Sequence, residues 1–185
     1  MTYRVAIFGH SQLPRNFPNI PGIETRVYRK PGAKLARVYD YPEFSEVFTW
    51  EHHHNIIFLG GNDIGLGPDA PKPSVIVAQL IALCERLRDA GQTVSLCQIE
   101  PRRYLSDAYA ELYTQSQERI NRRLKRYIRS RRDIYRLIHF NSRSFSDNHT
   151  IDGVHFNSLA SEHIKDKMVH ALMYFREEHE ARVRE

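Results

Sequence analysis

The chain has 185 residues, 41% of them hydrophobic, and this size and composition predict one folded globular domain spanning residues 1–185. Its formal charge of +5 and pI of about 9.3 permit attraction to nucleic acid or anionic membranes but establish neither. No apolar run approaches the roughly 20 residues of a membrane span, and the N-terminus lacks a signal-peptide pattern, so we expect an intracellular, cytoplasmic protein.

Five short runs have the length and the β-branched or aromatic content of strands. In chain order they are RVAIFG from Arg4, IETRVY from Ile23, NIIFLGG from Asn55, TVSLCQI from Thr93 and IYRLIHF from Ile134. The first and third runs are almost continuously apolar, which is typical of parallel strands covered on both faces.

Apolar residues at helical spacing predict three helices. The three stripes are Ile76, Leu80, Leu83, Cys84 and Leu87; Leu105, Tyr109, Leu112, Ser116, Ile120 and Leu124; and Leu159, Ile164, Met168, Leu172 and Phe175. Strands that alternate with helices predict an α/β domain with right-handed crossovers, a mainly parallel sheet of about five strands, and helices on both faces.

Cysteine and histidine patterns do not favour a metal site. Cys84 and Cys97 lie in a predicted helix and a predicted strand without metal-ligand spacing, so we expect buried, reduced thiols. The triplet His52, His53 and His54 is consecutive, and neighbours on an extended chain point to opposite faces. We therefore expect no metal site there.

Candidate functional residues stand in the loops between the predicted elements. The stretch IFGHSQLPRNF places Ser11 after the first strand, where we expect a helix to begin and where serine is also an ordinary N-cap. Gly32 follows the second strand and Asn62 of GGND the third, although both residue types also favour turns. TIDGVHFN places Asp152 three residues before His155. In parallel sheets, catalytic groups gather outside the carboxyl ends of the strands.

These residue types suit acyl transfer to serine. A serine hydroxyl needs a base to take its proton, and a histidine is an effective base when a carboxylate fixes its tautomer. Ser11, His155 and Asp152 supply that set. The negative charge that develops on the substrate oxygen needs donors, which the backbone N–H groups of Ser11 and Gly32 and the side-chain amide of Asn62 could provide.

The motifs in this order resemble those of the SGNH (GDSL-type) hydrolases, a family of esterases and lipases with a flavodoxin-like three-layer α/β/α sandwich. The resemblance implies that Ser11 is the nucleophile and that Asp152 and His155 complete a catalytic triad. It also implies an oxyanion hole formed by Ser11, Gly32 and Asn62. A short-chain or acetyl carboxylic ester, or a lipid ester, would be the substrate, with no metal or organic cofactor.

His10 departs from the family pattern, in which an aspartate usually precedes the serine. The triad acid of the family lies in the D-x-x-H motif, so we expect catalysis to survive this change. The sequence does not decide how the Ser11 loop is stabilised. It also does not decide whether His10 titrates or acts as a base. The phrases FLGGNDI, CQIEPR and DGVHFN are also similar to the esterase domains in first-open-reading-frame proteins of some non-LTR retrotransposons.

Positive charge is concentrated between Glu118 and Arg136, in ERINRRLKRYIRSRRDIYR. Its simplest interpretation is the solvated face of a helix. It also favours a second hypothesis, a module that binds RNA or anionic membrane on the same fold with incidental or no esterase activity. The contacts would come from Arg122, Arg123, Lys125 and Arg126. A third hypothesis is a carbohydrate deacetylase.

Overall fold

The computed structural model describes residues 2–102, 106–131, 135–139 and 156–185. A five-stranded sheet has the strand order β2-β1-β3-β4-β5, and all of its neighbouring strands are parallel. The strands are β1 Tyr3–Gly9, β2 Ile23–Arg29, β3 His54–Phe58, β4 Thr93–Cys97 and β5 Tyr135–Ile138. The predicted parallel α/β architecture is therefore confirmed.

Helices cover both faces of this sheet. The α-helices are α1 Pro73–Asp89, α2 Asp107–Arg129 and α3 Ser158–Arg184, and short 3-10 helices cover Leu35–Arg37, Pro42–Phe48 and Gly61–Asp63. Alternate residues of β1 enter two separate cores, with Phe8 packing among residues of α1 and α2 and Ile7 among residues of α3. The result is the predicted α/β/α sandwich.

The predicted stripes of α2 and α3 are each wrong at one leucine. Leu112 and Leu159 are 36% and 61% exposed, whereas Tyr113 and Ala160, the residues that follow them, are buried. In α2 the aromatic ring of Tyr113 takes the core position because it falls on the same face as Ile120, seven residues further along. Leu105 lies outside the described residues.

The helix expected at Ser11 does not form. The backbone makes a single turn, in which the Leu13 N–H donates to the His10 carbonyl at 3.1 Å, and then runs irregularly to residue 19. Pro14 and Pro18 explain this, because proline has no N–H to donate and disfavours helical geometry at the residue before it. Ser11 is thus held in a loop.

Both cysteines and two of the three consecutive histidines, His52 and His54, are buried. Cys84 and Cys97 are buried free thiols, as predicted, and burial raises the pKa of Cys84 to about 12. The buried ring of His54 contacts the Thr93 hydroxyl at 2.6 Å and the Ser95 hydroxyl at 2.9 Å, and burial lowers its pKa to about 3. Within the described ranges, no group of three histidine, cysteine or acidic residues could hold a metal ion.

No helix in the described part of the chain has both the length and the apolarity that a membrane crossing requires.

Candidate active site

Three loops that carry predicted site residues meet at the carboxyl edge of the sheet. The Lys30 N–H donates to the Gly9 carbonyl at 2.9 Å, and the His10 N–H donates to the Phe58 carbonyl at 3.2 Å. These backbone bonds connect the end of β1 to the ends of β2 and β3. The loops that contain Ser11, Gly32 and Asn62 therefore belong to one surface.

Gly9 allows this close approach. A Cβ atom at Gly9 would lie 2.3 Å from the Phe58 carbonyl oxygen, so any larger residue would force β1 and β3 apart where they end. The glycine before the His10–Ser11 pair thus has a packing role.

Gly32 is required for a different reason. Its φ of +69° is in the left-handed region, which side-chain-bearing residues rarely adopt, and no heavy atom lies within 4 Å of a Cβ placed there. The next residue, Ala33, donates its N–H to the Lys30 carbonyl at 3.1 Å and closes the turn. The backbone at Gly32 is thus held in a fixed turn and faces open space.

The Asn62 amide has a defined orientation. Its Oδ1 accepts a hydrogen bond of 2.8 Å from Nη2 of Arg102, which leaves Nδ2 as the end that faces the Gly32 loop. There Nδ2 donates to the Ala33 carbonyl at 3.4 Å, a long bond. The next residue, Asp63, accepts the Leu35 N–H at 3.0 Å and connects the same two loops. Asn62 thus directs its side-chain N–H groups toward the Gly32 loop.

A cleft of about 320 Å³ opens beside Ser11. Its lining is Ser11, Gln12, Leu13, Pro14, Arg15, Asn16, Arg29, Phe156, Ser158, Ser161, Glu162 and Lys165. Arg29 donates a hydrogen bond to the Ser11 carbonyl and so ties the serine loop to the end of β2. Three of the lining side chains are cationic, and one carboxylate, Glu162, pairs with Lys165 at 2.5 Å.

Asp152 and His155 lie outside the described residues, so their predicted roles stay predictions. The residue that follows His155 in the chain is Phe156, which is buried and lines the same cleft as Ser11.

A buried charged cluster at this edge was not predicted from the sequence. His10 and Glu100 have 0% and 1% of their surface exposed, and His10 Nε2 lies 3.3 Å from Glu100 Oε1. Arg102 Nη2 is also 3.3 Å from that oxygen. Burial favours the neutral form of Glu100, but His10 and Arg102 outweigh it and hold the pKa of its carboxyl below the usual value. The available signal was CQIEPR, in which charged residues directly follow an apolar strand.

Helix α2 anchors the loop that carries Glu100. Tyr113 donates its hydroxyl proton to the Glu100 carbonyl at 2.9 Å. Asn121 contacts Ile99 twice, accepting its N–H at 2.8 Å and donating to its carbonyl at 3.0 Å, and Gln117 donates to the same carbonyl at 3.0 Å. These side chains satisfy backbone groups that leave the sheet, so the loop after β4 is firmly positioned.

Asp63 carries a pH dependence of stability. Burial raises the pKa of its carboxyl from 3.8 to about 6, although the hydrogen bond from Leu35 opposes the rise. A carboxyl with a raised folded-state pKa stabilises the fold at low pH, and that contribution is lost as the pH rises through about 6.

We therefore expect Asp63→Asn, which keeps an oxygen for the Leu35 N–H, to increase the free energy of unfolding by up to about 3 kcal/mol at pH 7.5. The gain should shrink toward pH 4. Thermal melts at the two pH values measure it, and the exposed Asp69 in the same loop offers the control variant Asp69→Asn. A gain of equal size at both pH values would contradict the assigned pKa.

The part of the basic run from Glu118 to Arg129 lies in α2, and β5 contains Arg136. Arg122, Arg123, Lys125 and Arg126 are all exposed, while Leu124 is buried on the opposite face. The prediction of a helix with one charged face is confirmed here, and its binding role stays a prediction.

Comparison with solved structures places the fold. A carbohydrate esterase family 3 structure from Talaromyces cellulolyticus superposes with a TM-score of 0.71 at 14% identity, covering 96% of this chain and 99% of that one. A member of the lipolytic protein G-D-S-L family from Veillonella parvula superposes with a TM-score of 0.70 at 15% identity, covering 91% of this chain and 97% of that one. A GDSL-like lipase from Bacteroides thetaiotaomicron superposes with a TM-score of 0.68 at 15% identity, covering 92% of this chain and 88% of that one.

The chain therefore has the α/β/α fold of SGNH (GDSL-type) hydrolases. No protein-family model matches it, and no curated protein matches it in sequence.

Proposed function

We propose that the protein is a serine esterase that hydrolyses carboxylic esters through an acyl intermediate on Ser11. The observation that carries this proposal is the meeting of the Ser11, Gly32 and Asn62 loops at one sheet edge beside a cleft. The fold, shared with a carbohydrate esterase and a GDSL-like lipase, supports it.

In the proposed reaction the Ser11 oxygen attacks the ester carbonyl while His155 takes the hydroxyl proton. Asp152 holds the tautomer of His155 and stabilises its cation. The oxyanion is stabilised by the N–H groups of Ser11 and Gly32 and by Nδ2 of Asn62. His155 returns the proton to the departing alcohol, and it then deprotonates the water that cleaves the acyl-serine ester.

The proposed substrate is a short-chain ester, with acetyl as the first candidate, because a cleft of about 320 Å³ is at the small end of ligand sites. A carbohydrate acetyl ester is the alternative that the carbohydrate esterase neighbour favours. The narrower similarity to retrotransposon esterase domains rests on the quoted sequence phrases and is kept as part of this proposal.

Turnover of p-nitrophenyl acetate, butyrate and octanoate, with acetylated xylo-oligosaccharide alongside, tests the proposal. We expect hydrolysis of acetate and butyrate and a falling kcat/KM with the longer chain. Absence of turnover on every ester would contradict an esterase. Faster release of acetate from the sugar than from the phenyl ester would assign the carbohydrate alternative.

The cationic lining of the cleft predicts a preference for anionic esters. Arg15 and Arg29 lie beside Ser11 without a carboxylate partner among the described contacts, so a negative group on the substrate should bind there. We expect KM for 4-acetoxybenzoate to be about tenfold below that for its uncharged methyl ester, which amounts to one charge-assisted hydrogen bond. Arg15→Gln should reduce this difference in KM. Equal KM values for the two esters in the wild type would contradict the predicted preference for anionic esters.

A second candidate function is binding of RNA or anionic membrane through α2, which its exposed basic face favours. Binding through phosphate charge weakens as salt rises. We expect weak, sequence-indifferent retention of single-stranded RNA at about 50 mM salt, lost at higher salt. Replacing Arg122, Arg123, Lys125 and Arg126 with glutamine should reduce it while leaving ester turnover unchanged.

Vesicles with anionic lipid serve as the second arm of that experiment. If neither RNA nor vesicles retain the wild-type protein at low salt, the basic face of α2 is ordinary solvated surface.

A further inference from the structure

The cluster of His10, Glu100 and Arg102 lies between the loop that contains Ser11 and the loop that contains Asn62. Its members come from two loops, after β1 and after β4, and its outer end contacts a third loop at Asn62. Both His10 and Glu100 are essentially without exposed surface, and Arg102 has 10% of its side chain exposed. Buried charges are costly unless they are paired, so these groups constrain one another strongly.

The orientation of His10 follows from its contacts. The Gln12 N–H donates to Nδ1 at 3.4 Å, a long bond, and Nε2 faces the Glu100 carboxylate at 3.3 Å. The His10 ring also packs against the ring of Phe58, with 4.8 Å between the two centroids. Both ring nitrogens thus face the buried interior, so His10 is not placed to act as the general base.

Glu100 is packed against the backbone of the GGND turn. A Cβ atom at Gly61 would lie 2.5 Å from Glu100 Oε1 and 3.1 Å from Arg102 Nη2. Gly61 has no positive φ, so its lack of a side chain serves to leave room for the carboxylate and not to permit a backbone turn. The glycine next to Asn62 and the buried glutamate therefore form one packed unit.

Arg102 transmits this arrangement to Asn62. One nitrogen, Nη2, faces Glu100 Oε1 at 3.3 Å and donates to Asn62 Oδ1 at 2.8 Å. Its guanidinium also lies over the Tyr113 ring, 5.2 Å from the centroid. An arginine at Oδ1 fixes which end of the amide presents N–H groups and polarises them.

We infer that His10, Glu100 and Arg102 form a buried positioning relay that holds the Asn62 amide with its N–H groups toward the reacting oxygen and couples that amide to the Ser11 loop. Its catalytic part rests on the proposed esterase function. The relay also explains why this chain has a histidine before the serine: an aspartate there would face the Glu100 carboxylate.

A double-mutant cycle between Arg102 and Asn62 tests the relay. Arg102→Gln should lower kcat by about ten- to a hundredfold with little change in KM, the range for one hydrogen bond to a charged group. In an Asn62→Ala background the same change should cost less than about twofold, since Arg102 acts through Asn62. Equal losses in both backgrounds would overturn the relay.

Arg131→Gln is the matched control. Arg131 also lies 3.3 Å from a glutamate oxygen, in Glu85, and 5.2 Å from a tyrosine centroid, in Tyr127, but it is remote from the candidate site. This variant should keep the wild-type kcat. His10→Asp should lower kcat as Arg102→Gln does, because it sets a second carboxylate against Glu100.

A readout that needs no turnover separates the relay from the esterase proposal. The side-chain amide NMR signals of Asn62, assigned by their loss in Asn62→Ala, should shift in Arg102→Gln and stay in place in Arg131→Gln. Signals that do not move in Arg102→Gln would overturn the relay even if the enzyme is active. If the signals move in Arg102→Gln but the wild-type protein hydrolyses no ester, the positioning of Asn62 by Arg102 stands and only the proposed esterase reaction is rejected.

Discussion

Ser11→Ala should abolish ester hydrolysis while leaving the fold intact, because it removes the only oxygen proposed to carry the acyl group. The residue is half-buried in a loop, and the change deletes one hydroxyl without disturbing the Gly9 contact that positions the loop. We expect kcat to fall to the background rate of the buffer, measured with p-nitrophenyl acetate. Thermal melts should show a wild-type midpoint.

Ser158→Ala is the control for this experiment, because Ser158 lines the same cleft from the start of α3. It should retain turnover. If Ser11→Ala keeps a substantial rate while Ser158→Ala loses it, the nucleophile has been assigned to the wrong serine.

Asn62→Ala should lower kcat by about two to three orders of magnitude with little change in KM, by analogy with loss of one oxyanion donor. The amide stabilises charge that exists only in the transition state, so ground-state binding should be nearly unaffected. Asn16→Ala, an exposed amide in the lining of the same cleft, is the control and should leave kcat unchanged. An effect confined to KM would place Asn62 in substrate binding instead.

Much of the fold could be predicted because the first and third strands are almost continuously apolar. Buried runs such as the one at Ile56 and Ile57 have few other interpretations, and alternation with helical stripes then defines the layers. Helix faces were predicted less well. Leu112 was placed in the core because it is apolar, although its neighbour Tyr113 lies closer to the face of Ile120.

The candidate site could be predicted where a residue type has a chemical reason to stand at a strand end, as for Ser11 and Asn62. The relay could not, because its contacts join residues far apart in the chain: His10 meets Glu100, and Arg102 meets Asn62 forty residues away. Spacing contains no information about which loops pack together at that range. Likewise, the close packing at Gly61 depends on the Glu100 carboxylate beside it.

Covalent capture tests directly whether Ser11 is a nucleophile. The protein would be incubated with a fluorophosphonate, digested, and the modified residue located by tandem mass spectrometry. We predict a single phosphonylated serine, Ser11, with no labelling of Ser11→Ala and normal labelling of Ser158→Ala. A label on another serine, or labelling that persists in Ser11→Ala, would contradict the account.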